Sequence, residues 1–130
     1  MHRRRISILG LAALLASTAP ASAHHSFAAI FDAAKPVTLT GTVTRVEWMN
    51  PHTWLYLDVK KDDGSVEAWA FEMGSPNRLM RYGWNQDSLP TGQTVTIAGS
   101  QARDGSPKAA VDTVTLPDGK RLFGAQDTSQ

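Results

Sequence analysis

An all-β domain carrying one short inserted helix is what this sequence predicts, and three observations predict it. Apolar and polar residues alternate in short runs such as "VTLTGTV" and "LYLDV", the period of a half-buried strand. Turn dipeptides punctuate those runs, Asp63-Gly64 being the plainest. Only "SPNRLMRYG" changes period, opening on a capping serine and closing on a glycine.

Residues 1–23 stand apart as an export signal. Arg3, Arg4 and Arg5 form a positive start, "ISILGLAALLA" an apolar run, and Ala21-Ser22-Ala23 offers the small residues that signal peptidase accepts. The apolar run is too short for a spanning helix. Cleavage after Ala23 leaves 107 of the 130 residues and makes His24 the first.

In the N-terminal segment, residues 24–36, Phe27, Ile30 and Phe31 fall at i, i+3 and i+4. That spacing suits one helical turn capped by Ser26, or a tail pinned by apolar anchors, and Pro36 ends it. "VTLTGTVTRVEW" then reads as the first strand, with Leu39 and Val43 on one face and a bend or bulge at Gly41. Asn50-Pro51 breaks it, because the residue before proline is pushed out of the helical region. "TWLYLDVK" and "VEAWAFEM" form a hairpin around "KDDGS", where Gly64 supplies the positive φ. The helix spans residues 75–82, with Ser75 as N-cap and Pro76 in the first helical position. "QTVTIAGSQA" and "AAVDTVTL" complete five strands, and "LPDGKRLF" adds a turn and a last extended piece.

Five strands with a helix between the third and fourth predict an OB-type Greek-key barrel over residues 37–123. A small β-sandwich is the alternative. Residues 124–130 read as a flexible tail. The predicted buried set is Leu39, Val43, Leu55, Leu57, Phe71, Leu79, Val95 and Ile97.

The 13 basic and 12 acidic residues become 10 and 12 once the three arginines of the signal are gone, a formal charge of −2. Such a balance gives no electrostatic footprint for nucleic acid. The absence of cysteine excludes disulfides, thiolate metal sites, iron–sulfur clusters and haem attachment through cysteine.

The paired histidines carry the sharpest chemistry. As the first residue, His24 would offer its α-amine and ring Nδ1 as a chelate on one metal ion. His25 or His52 would add an imidazole, completing a histidine brace. Such all-nitrogen ligation suits copper, since Cu(II) heads the divalent affinity order and accepts tetragonal nitrogen. The amine, with a reference pKa of about 7.7–8.0, loses its proton easily near neutrality. A bland reading competes: the pair is a polar start to the chain, and His52 caps a turn beside Pro51. Likewise Trp48, Trp54, Trp69 and Trp84 offer either a stacking platform or, more simply, core. Trp54 and Tyr56 share one strand face while Leu55 and Leu57 share the other, so one set faces outward.

Catalysis finds no frame. There is no nucleophile elbow, H-E-x-x-H motif or glycine-rich phosphate loop, and Glu47, Glu67 and Glu72 alternate with apolar neighbours as on solvated faces. The expectation is a protein that is not an enzyme.

The blocks "HHSFAAIFD", "VEWMNPHTWLYLDV" and "WAFEMGSPNRLMRYGW", continuing through "DGS" and "VTLPDG", resemble a family of small exported bacterial proteins known only as a domain of unknown function. The resemblance implies a single periplasmic domain and no established activity. The family pattern often carries an acidic residue where this chain has Ile30, a departure that withholds a carboxylate from beside the paired histidines. Two functions follow as expectations. One is a periplasmic copper-handling domain using His24, His25 and His52. The other is a metal-free module that docks on another exported protein or ligand.

Overall fold

The computed structural model describes residues 27–126. It is mostly β, with the order α1 (Phe27–Ile30), β1 (Phe31–Glu47), β2 (Trp54–Lys60), β3 (Val66–Glu72), α2 (Pro76–Arg81), β4 (Thr94–Ala102), β5 (Lys108–Thr115) and β6 (Arg121–Phe123).

β1 organises the sheet because it pairs twice. Its first part runs antiparallel to β4, from Phe31↔Ala102 to Thr42↔Thr94, and its last part antiparallel to β2, from Gly41↔Val59 to Glu47↔Trp54. Gly41 belongs to both ladders. A Cβ there would lie 2.7 Å from the Asp58 carbonyl oxygen, so the position admits no side chain. The irregularity predicted at Gly41 falls instead between Val43 and Arg45, where the hydroxyl of Thr44 donates to the Tyr56 carbonyl at 3.1 Å.

The strand order is β3-β2-β1-β4-β5-β6, and β3 also pairs β5, in parallel, from Ala70↔Lys108 to Glu72↔Ala110. The first five strands thus form a closed circuit of pairings. β6 joins the far half of β5, with Val114 opposite Leu122.

Alternation along the strands builds the core. Val43, Leu55, Leu57, Phe71, Val95 and Ile97 all point inward and are buried. Leu39, predicted among them, is only partly buried: it lines an open groove beside Val59 and Trp69. Trp54 and Tyr56 are the outward set. Trp69 and Trp84 belong to the core, Trp69 stacking on Phe71 at 5.8 Å, so the four tryptophans do not make one platform.

The helix forms where its signals predict. Ser75 caps it, the side chain accepting from Arg78 N at 3.4 Å, and Gly83 follows the last turn with φ +88°. Its buried Leu79 closes one end of the core.

The chain ends differ from expectation. The strand predicted from Val37 begins at Phe31, and Pro36 lies inside it opposite Ser100. The register shifts between Phe31 and Pro36, an irregularity of the kind that tolerates a residue without an N–H. Residues 124–126, placed by sequence in the tail, pack on the domain: Gly74 N donates to Gly124 O at 2.8 Å.

Candidate functional site

His24 and His25 lie outside the described residues, so His52 is the predicted ligand whose surroundings are seen. It sits in the loop between β1 and β2, after a cis Asn50–Pro51 peptide. The β2–β3 ladder continues past its strand ends here: Thr53 N donates to Gly74 O at 3.0 Å, and Met73 N to Thr53 O at 2.9 Å. This extension lays the imidazole along the end of β3. Nδ1 lies 3.1 Å from the Met73 carbonyl and 3.1 Å from Glu72 Oε1. Nε2 has no protein partner among the described residues.

Glu72 is the residue that sequence reasoning missed. Its side chain is 13% exposed, against 37% for His52. Burial pushes its carboxyl above the ordinary range, while the charges of His52 and Lys108 oppose that rise. Three neighbours mark its place in the sheet. Trp54 stands opposite on β2, Ala110 stands opposite on β5, and Gln126 donates from Nε2 to the Glu72 carbonyl. The Lys108 ammonium lies 5.8 Å from the centre of the Trp54 ring, on the same outer face.

The N-terminal anchor occupies that face too. Phe71 and Ala109 are paired and point into the main core, so Glu72 and Ala110, one step on, point outward together. Ala110 belongs to a second cluster with Phe31 and Ala102, against which Phe27 and Ile30 pack. Arg103 fastens the segment from β4's end. Its backbone N–H donates to Ile30 O at 2.9 Å, its Nε to Ala28 O at 2.6 Å, and its Nη1 lies 3.5 Å from Asp32 Oδ2.

The hairpin register did carry a signal for Glu72. Asp63-Gly64 sets Lys60 opposite Val66, and the same register carried back puts Trp54 opposite Glu72 and His52 beside it. What lies on the far side of Glu72 comes from β5 and the chain's end, which no local pattern reveals.

Chemically, a half-exposed imidazole whose Nε2 is unengaged can give a lone pair to a metal ion or hydrogen-bond a ligand. The described residues contain no group of three or more His, Cys, Asp or Glu that could hold a metal. A metal held at His52 by three or more such groups would draw ligands from beyond residues 27–126.

No curated protein matches the chain. A family model matches residues 12–111, and with that span the chain belongs to the DUF6152 family, a family of unknown function.

Proposed function

We propose that the mature chain is an exported, periplasmic binding protein without catalytic activity, built as an OB-like Greek-key barrel, and that it holds one Cu(II) through His24, His25 and His52. The circuit of five strands, with β3 and β5 parallel and α2 between β3 and β4, supports the barrel over a two-sheet sandwich.

One observation carries the copper reading: the N-terminal anchor and His52 share an outer face. Phe27 packs on the cluster containing Ala110, Ala110 pairs with Glu72, and Glu72 meets His52 at 3.1 Å. Paired strands stand about 4.8 Å apart. The three steps from Phe27 back to His24 reach roughly 10 Å when extended. An extended path over those three steps would carry the His24 amine toward Nε2 of His52. Bound there, copper would supply a centre that accepts nitrogen ligands in a tetragonal arrangement.

Titration of the processed protein with Cu(II) tests this. One equivalent should bind. One extra residue before His24 should weaken binding strongly, because the α-amine then belongs to another residue, and His52→Ala should weaken it without unfolding the domain. No uptake by processed protein, or equal uptake by the extended form, defeats the reading.

The metal-free docking reading has its own support. Tyr82 and Phe123 are 49% and 58% exposed with ring centres 6.4 Å apart, and Met80 nearby in sequence is 54% exposed. Apolar side chains left this open mark a surface for a partner.

A further inference from the structure

We infer that Glu72 is a positioning residue: its carboxylate holds the ring proton of His52 on Nδ1 and leaves the Nε2 lone pair outward for a metal. The second half of that statement rests on the copper reading above; the first does not.

The geometry makes the argument. Nδ1 faces the Met73 carbonyl and Glu72 Oε1, each at 3.1 Å. A backbone carbonyl only accepts, so a hydrogen bond to it puts the ring hydrogen on Nδ1, and the neutral ring then has its lone pair on Nε2. The carbonyl alone would favour this tautomer weakly. The carboxylate strengthens it, because a hydrogen bond to an ionised acceptor is about twice as strong as one between neutral groups.

The carboxylate gains further weight once a cation sits on Nε2. Electron withdrawal makes the Nδ1 hydrogen more positive, and a charged acceptor rewards that more than a neutral one. Ligating histidines generally hand their other N–H to such a group, and its loss costs about 10–100-fold in metal affinity. Glu72 is held for this task from both sides, by Trp54 on β2 and Ala110 on β5, and its backbone carbonyl is taken by Gln126.

The test uses processed protein with ¹⁵N-labelled histidine and no metal, since nitrogen shifts distinguish a protonated from a bare ring nitrogen. His52→Ala identifies the signals. Wild type should show His52 protonated on Nδ1. Glu72→Gln, of the same size, offers the ring either an amide oxygen or an N–H and should give a mixture of tautomers. Cu(II) competition should then show affinity about 10–100-fold lower for Glu72→Gln, with Glu72→Asp recovering part of it, and no further loss when Glu72→Gln is added to His52→Ala. An unchanged tautomer in Glu72→Gln overturns the inference. So does an equal loss of affinity in the His52→Ala background, which would make Glu72 itself a ligand. If wild type takes up no Cu(II), the copper reading falls while the metal-free tautomer populations still decide the role of Glu72.

Discussion

Asp112 and Glu72 show how much a single carboxylate depends on what the rest of the chain brings to it. Asp112 is exposed on β5 beside a groove lined by Tyr82, Val111 and Phe123, and partial loss of solvent there raises its carboxyl above the ordinary value. A raised value means that the folded state holds the proton more tightly than the unfolded chain, whose Asp titrates near 3.8. Stability is then favoured at acid pH and falls as pH climbs from about that value through the folded one. Asp112→Asn should therefore stabilise the domain at pH 7, and its advantage should shrink as the pH approaches 3. Thermal melts of both proteins across that range check the sign; a variant less stable at pH 7 than wild type would refute it. Asp112 is exposed as the alternation of its strand predicts, whereas the setting of Glu72 is not legible from its own strand. "AWAFE" alternates as a solvated strand should, and the partners that Glu72 meets on β5 and at residue 126 lie more than thirty positions away.

Elements were more legible than side-chain environments, because turns and caps are local chemistry. The Ser75 cap, Pro76 and Gly83 bound α2, and Asp63-Gly64 sets the β2–β3 register, in which Leu57 faces Trp69; across the β1–β2 ladder it faces Val43. Leu57 is fully buried there. Its replacement by Ala should cost about 2–5 kcal/mol in denaturant unfolding, the range for a leucine whose cavity cannot collapse. A loss of only a few tenths, typical of surface sites, would mean that β2 runs in the other register. The start of β1 was hidden for an equally physical reason. Phe27, Ile30 and Phe31 have helical spacing and Pro36 looks like a stop, yet β4 offers a partner as far as Ala102 and the ladder shifts register to pass the proline. The helical spacing holds over α1, Phe27–Ile30, and pairing with a distant strand overrode only the stop at Pro36. Leu39 fails as a core residue for a related cause: it points inward where the rim opens between Val59 and Trp69.

For the molecule as a whole, everything proposed at the paired histidines depends on where export leaves the first residue. Among the described residues no helix is long and apolar enough to cross a membrane. The apolar run "ISILGLAALLA" has eleven residues, about 16 Å as a helix at 1.5 Å per residue, against a hydrocarbon core near 30 Å. A run of that length suits a signal better than an anchor, and with Ala21 and Ala23 we propose a cut before His24. The expected product of secretion is a chain of 107 residues that begins with His24. Intact-mass measurement and N-terminal sequencing of periplasmic material should find that species. A start at Ser22 would bury the histidines behind two further residues, and a start at His25 would move the amine to the second of the pair. Either would remove His24 as the chelating terminus, and a precursor retained in the membrane would remove the free amine altogether. Binding should also weaken as pH falls through the imidazole and amine range, since protons and metal compete for the same nitrogens. That pH dependence should steepen when the amine takes part and flatten when an added residue displaces it. The proposed cut after Ala23 would therefore decide whether the anchor on the face with Ala110 presents a ligand to His52 or only a polar end.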